Sequence, residues 1–373
     1  MIYLDNAATS FISEDMKEYI ISMIDVFGNP SSVHSVGNKA AKVLQVARNE
    51  VAKFINTAPD NIYFTCGGSA SNSLAIKGYC AKNKCDIIYS PIAHNSIIKC
   101  IESCIEHNTY PLNVDKNGCI DLKDLESKCS KSKRALVVID YANSEIGVIQ
   151  DVSTIVKIAH KYDCVVYMDC TASINTIPLN VQETDIDMCG FSAHKLGALK
   201  GSGIFYKKHF INIEPIIYGE QESGLIGGTQ NVLGIASLYK AIKEHDYSSI
   251  SPQNRDYVYN YIIKNIPGVY IVGGLNNRLS NNLYMCFRGV EGESLMILLD
   301  LNRIQVSTGS ACNSKKIESS PVLKIIGMPE GDRKSCIRMT FSGTETKHCL
   351  DFVCKTLKQS VDSLRQIDTT ILN

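Results

Sequence analysis

From residue 61 onward the chain alternates between short apolar runs and longer amphipathic stretches. The runs are Ile62 to Thr65, Ile87 to Tyr89, Ala135 to Ile139, Val165 to Met168, Met188 to Phe191 and Ile204 to Tyr206. Runs this short, apolar throughout and separated by helix-length segments, predict strands of a mainly parallel sheet with helices on both faces. Earlier, residues 2–9 read as an extended entry segment and Ser13 to Phe27 as a helix with Glu14 and Asp15 in its first turn. A polar loop over 28–37 follows, then a longer helix in which Ala40, Val43, Leu44, Ala47, Val51 and Phe54 recur at helical spacing.

After about residue 245 the pattern changes. Helices are predicted over 255–265 and 293–301 and from about 345, with strands near 269–273, 282–287, 303–307 and 336–341. These make a smaller α+β unit with an antiparallel sheet. The expected organisation is a large α/β domain over 13–245, a small C-terminal domain over 246–373, and a segment over 1–12 that joins the small domain.

The 373 residues suffice for a large core. Lys plus Arg (38) equals Asp plus Glu (38) and no long run of one sign occurs, which argues against nucleic acid or a membrane surface as partner. No basic, apolar leader pattern opens the sequence and no apolar run is long enough to span a bilayer. The 15 cysteines, an odd number scattered through apolar segments, fit free thiols in a reducing cytoplasm. Cys100, Cys104 and His107 share helical spacing; core packing is the expectation there, and no metal is assigned.

Ligands of such sheets bind beyond the carboxyl ends of the strands, and that is where the polar chemistry lies. Lys195 follows Ser192 and His194 at a strand end, in FSAHKLGALKGSG: it is a surface lysine in a turn, or an amine placed for a Schiff base. Cys66-Gly67-Gly68-Ser69 opens a helix after a strand, as a turn or as a phosphate cradle. Asp169 ends a buried strand, where it caps the next segment or pairs with a cation such as a pyridinium nitrogen. His94 starts a helix, as a cap or as a ring that stacks on a flat ligand.

Taken in order, YLDNAAT, GNPSSVHSVG, FTCGGSASN, NSEIGVIQD, MDCTAS, FSAHK, GGTQN, GSACNS and IRMTFSGTET span nearly the whole chain. In this set the sequence resembles the cysteine desulfurases of the NifS/IscS type, class V aminotransferases of the fold-type I pyridoxal-phosphate enzymes. The resemblance implies a large domain with a seven-stranded, mainly parallel sheet, a homodimer, and conversion of L-cysteine to L-alanine with sulfur passed to an enzyme cysteine and then to an acceptor such as an iron–sulfur scaffold protein. It implies that Lys195 binds pyridoxal 5'-phosphate, that Asp169 pairs with the ring nitrogen and that His94 stacks on the ring, with the freed Lys195 amine or His94 moving the substrate's Cα proton. Gly68, Ser69, Ser192 and His194 would hold the phosphate with Thr229 of the second subunit, and Arg338 would clamp the substrate carboxylate. Cys312 would carry the persulfide.

The chain departs from the family's usual residues at several positions. An asparagine and a glutamine near the cofactor's phenolic oxygen are Ser144 and Ala172, so Ser144 faces both cofactor and substrate. A glutamate beside the cradle is Ala70, an arginine is Ile226, Glu220 stands where glycine is common, and Ser342-Gly343 replace a closing Gly-Arg. These leave open a related lyase or transaminase, selenocysteine lyase included, or a non-catalytic scaffold. Retention of Lys195 and Cys312 favours the desulfurase.

Overall fold

The computed structural model describes residues 1–309 and 320–371, with side chains up to residue 366. Strand β1 is Ile2–Tyr3, β2 Ile62–Thr65, β3 Asp86–Tyr89, β4 Thr109–Pro111, β5 Ala135–Asp140, β6 Val165–Asp169, β7 Met188–Ser192 and β8 Gly203–Lys207. The main sheet has the order β2-β8-β7-β6-β5-β3-β4. Only β8 runs antiparallel to its neighbours, as expected of a mainly parallel sheet. All six residues of β5 are buried, because helices cover both faces at the centre of the sheet.

Three further strands, β9 (Val269–Ile271), β10 (Asn282–Phe287) and, beyond β11 (Ile304–Gln305), β12 (Cys336–Thr340), form an antiparallel sheet of order β12-β10-β9. The expected strand over 303–307 is the shorter β11. It leaves that sheet and pairs in parallel with β1, Ile2 opposite Ile304. Leu4 is fully buried in the same apolar cluster as Leu283, Met339 and Phe341. The start of the chain is thus held against its C-terminal third.

The first helix is shorter than expected, Glu14–Met23, with the Ser13 hydroxyl accepting the Met16 N–H at 3.1 Å. Ile24 and Phe27 are 59% and 81% exposed. No apolar burial extends the helix to them, and local propensity alone does not sustain a further turn. A helical run from Gly68 to Lys82 is α-helical at both ends, with a π-helical segment over Leu74–Gly78. It lies close on the sheet because Gly190 of β7 has no side chain; a Cβ there would sit 2.6 Å from Ser71 Cβ and 2.7 Å from the Tyr167 hydroxyl.

One polar cluster fastens the strands that lead to the site. Asp187, just before β7, is buried and accepts the Val166 N–H at 2.8 Å, His160 Nε2 at 2.9 Å and Lys208 Nζ at 2.9 Å. Burial alone would push its carboxyl up, but the hydrogen bonds from His160 and Lys208 hold it below the usual 3.8. The bond to Asp187 raises His160 above its ordinary 6.5 against the opposing pull of burial. Asp187 therefore contributes stability above about pH 3.8 that is lost as pH falls through its lowered value, and His160 contributes below about pH 6.5 and fades as pH rises through its raised value. His160→Ala should cost about 2 kcal/mol near pH 5.5 and markedly less above pH 8, measured by urea unfolding across the range.

Candidate functional site

The residues singled out in the sequence converge at one edge of the main sheet. Gly68 follows β2, His94 follows β3, Ser144 lies in the loop after β5, Asp169 ends β6, and Ser192 ends β7 with Lys195 in the 3-10 turn that follows. In register, Asp169 lies opposite Asp140 of β5 and Gly190 of β7.

Asp169 is 4% exposed. Its Oδ1 accepts the Thr171 N–H at 2.8 Å, and its Oδ2 accepts Asn72 Nδ2 at 2.9 Å. Asn72 Nδ2 also donates to Ser96 Oγ at 2.8 Å, and the Tyr167 hydroxyl donates to Asn72 Oδ1. Ser96 Oγ lies 2.7 Å from His94 Nδ1, which also accepts the Ser96 N–H at 3.1 Å. His94 is thus the N-cap of helix Asn95–Glu102 and, through two side chains, an outer member of the Asp169 network, its ring exposed. Sequence reasoning missed Asn72 although it lay in the quoted FTCGGSASN. The available signal was its spacing: four residues after Gly68, it shares that residue's face of the helix.

Beside Asp169, Ser192 Oγ accepts the Gly68 N–H at 2.8 Å. A Cβ at Gly68 would lie 2.7 Å from Thr171 Oγ1 and 2.8 Å from Ser192 Oγ, so only glycine keeps this cradle open. Thr171 Oγ1, a second residue the sequence did not disclose, is buried without a hydrogen-bond partner. Ser69 is exposed at the helix start. Burial pushes the His194 imidazole down to about 4, and the charges of Lys195 and Lys200 add to the shift; its Nδ1 lies 3.2 Å from Thr9 Oγ1. A glycine-lined helix start, an unpartnered hydroxyl and an imidazole beside two lysines suit a phosphate. With a buried carboxylate one strand away, they fit pyridoxal phosphate.

Lys195 Nζ donates to the carbonyls of Ala7 and Ala8, the latter at 2.9 Å, so the entry segment crosses over the amine. Lys195, Ser144, Ala172, Asn175 and Asn281 line one small cleft of about 20 Å³. Arg338 on β12 is buried; its Nη1 donates to the Ser144 carbonyl at 3.1 Å and its Nη2 pairs with Asp5 Oδ1 at 2.8 Å. Its Nε is buried without a partner.

Arg338 also exchanges backbone hydrogen bonds with Ser307, at 2.6 and 3.1 Å. The stretch leading toward Cys312 therefore starts beside the Arg338 main chain; Cys312 itself lies outside the described residues. Tyr284 donates to the Thr308 carbonyl at 3.0 Å and lies 3.2 Å from Glu145 Oε1. Burial raises the Glu145 carboxyl against the lowering effects of Ser320 and Arg338. Burial likewise pushes Asp140 up to about 6.

Thr229 does not join this group. It is exposed on the rim of a separate cavity of about 170 Å³ lined also by Cys66, Ala70 and Ile226. The departures from the family pattern consequently fall in pairs, Ser144 with Ala172 in the cleft and Ala70 with Ile226 in this cavity. A glutamate and an arginine at the latter two positions would face one space, so losing both leaves its net charge unchanged. At the other departure, the Ser342 and Gly343 N–H groups both donate to the Glu345 carboxylate, at 2.6 and 3.1 Å.

Residues 2–352 match the aminotransferase class-V family. The chain is 36% identical to the cysteine desulfurase IscS of Dictyoglomus turgidum, over 98% of this chain and 96% of that one. It is 31% identical to a NifS-like protein of Rickettsia africae, whose X-ray structure superposes with a TM-score of 0.88 over 97% of this chain and 99% of that one. A second NifS-like structure gives a TM-score of 0.90 at 28% identity, over 97% and 99% of the two chains. With the strand order, the helix-start cradle and this likeness over nearly its full length, the chain belongs to the class V aminotransferases, in the NifS/IscS group of cysteine desulfurases.

Proposed function

We propose that this protein is a pyridoxal-phosphate-dependent cysteine desulfurase that takes sulfur from L-cysteine onto Cys312 and releases L-alanine. The observation that carries the reading is the convergence of the Lys195 amine, the buried Asp169 carboxylate and the Arg338 guanidinium, with Ser307 bridging the Arg338 strand to the segment that leads to Cys312.

When bound, pyridoxal phosphate supplies an aldehyde that condenses with amines and a ring that withdraws electrons from the substrate carbon. The chain's residues do the rest. Gly68 N–H, Ser69, Thr171, Ser192 and His194 hold the phosphate. Asp169, oriented by Asn72 and the Thr171 N–H, keeps a proton on the ring nitrogen. His94 covers the ring, and the Ser96 bond fixes its orientation.

Arg338 receives the substrate carboxylate through its planar fork and so places the substrate thiol toward Cys312. Lys195 would hold the aldehyde of the cofactor through its amine, and that amine or His94 would move the Cα proton of the substrate. The Cys312 thiolate then forms an S–S bond to the substrate sulfur. The Cβ–S bond breaks with its electron pair left on carbon, which is protonated and leaves as alanine.

Thr229, exposed and outside the cleft that Lys195 lines, supports a homodimer in which it completes the partner's site. An iron–sulfur scaffold protein is the acceptor class proposed. The 14 described cysteines are all free, which supports work in a reducing cytoplasm. Among the described residues no helix is long and apolar enough to cross a membrane.

Alanine release from cysteine should fall to background in Cys312→Ala, while the purified variant stays yellow; alanine formation persisting in that variant would overturn the desulfurase reading. Arg338→Lys should raise KM for cysteine about tenfold or more with a smaller change in kcat, because an ammonium cannot reproduce the bidentate fork. Asn72→Ala should weaken cofactor retention about tenfold, read as bleaching on dialysis, and should lower the urea stability of the apo form by about 1–3 kcal/mol, since Asp169 and Tyr167 each lose a buried partner.

A further inference from the structure

Away from the catalytic edge, thiols and an imidazole gather at the opposite end of the sheet. Cys80 lies near the end of the helical run that starts at Gly68, and Cys85 directly precedes β3. Cys104 and His107 lie between helix Asn95–Glu102 and β4. Since His94 and the site follow the carboxyl end of β3, this group occupies its amino end. Among the described residues the trio suggested by helical spacing is not the one that meets: one ligating atom each from Cys80, Cys85 and His107 lie within 4.8 Å of one another.

The sulfurs of Cys80 and Cys85 are 3.9 Å apart. Two zinc–sulfur bonds of about 2.3 Å at the tetrahedral angle hold their sulfurs about 3.8 Å apart, whereas a disulfide requires about 2.05 Å. Cys104 Sγ lies 3.3 Å from the Cys100 carbonyl, outside the group that meets. His107 Nδ1 lies 2.8 Å from the Cys85 carbonyl. An N–H donated there fixes the tautomer with Nε2 unprotonated, the arrangement by which metal-binding histidines are commonly oriented.

Cys80, Cys85 and Cys104 are buried in an apolar cluster with Tyr79, Ile87, Ile97 and Ile101, which would keep water from a bound ion. Lys77 and Arg134 act electrostatically on these thiols.

We propose that Cys80, Cys85 and His107 form a zinc site of three protein ligands. It ties the end of the Gly68 helical run to the start of β3 and to the β3–β4 connection. It lies at the opposite end of β3 from the catalytic edge, so its chemistry is separate from that of the catalytic cysteine.

The test loads the holoenzyme, in a Cys312→Ala background that removes the catalytic thiol, with zinc or with cobalt(II) under reducing conditions. After exhaustive dialysis, metal content is measured by atomic spectrometry and the cobalt form by visible absorption. One metal per chain, with the intense visible bands and thiolate charge-transfer absorption of tetrahedral cobalt, is the expected result. Cys85→Ser and His107→Ala should each weaken metal retention tenfold or more while the cofactor colour is kept. Absence of stoichiometric metal, a weak octahedral cobalt spectrum, or a Cys80–Cys85 disulfide in the protein isolated without reductant would overturn the proposal. The wild-type ligand set decides these outcomes even if a variant fails to fold.

Discussion

The site depends on keeping one carboxylate out of water. A buried, ionised aspartate costs several kcal/mol unless its oxygens are satisfied and a positive charge is near. The fold meets the first condition through the Thr171 N–H and the Asn72 amide. The second is what a protonated pyridine nitrogen provides. Much of the surrounding architecture serves that arrangement: Gly190 lets the helix bearing Asn72 come close, Tyr167 and Ser96 hold the amide in place, and the Asp187 cluster fastens the two strands on which Asp169 and Lys195 depend.

The strands of the main sheet could be read from the sequence because its central members are buried on both faces and so appear as unbroken apolar runs. β10 was equally legible, every residue of it being buried. β4 was not: its three residues, Thr109–Pro111, are all exposed and carry no hydrophobic signature. The first helix was over-extended for the opposite reason, since Ile24 and Phe27 continue an apolar pattern that no core answers. The departure of β11 to pair with β1 depends on a partner three hundred residues away, which local pattern cannot reveal.

Within the site, residues with distinctive chemistry were found and those acting through geometry were not. Lys195, Asp169 and His94 stand out by type and by position at strand ends or helix starts. Asn72, Thr171 and Asp5 are ordinary polar residues until the fold sets each within hydrogen-bond reach of a group that needs it. Ala70 and Ile226 line one cavity, so the loss of a glutamate and an arginine there cancels in charge. That reading required knowing which side chains share a space.

Eleven of the fourteen described cysteines are buried, and only Cys66 is exposed. A catalyst that carries sulfur in an oxidised, transferable form works amid groups that would readily scavenge it, since any accessible thiolate can take over the terminal atom of a persulfide. Seclusion in the interior makes nearly all of these sulfurs bystanders, and so allows a cysteine-rich chain to handle sulfane sulfur without losing it to itself.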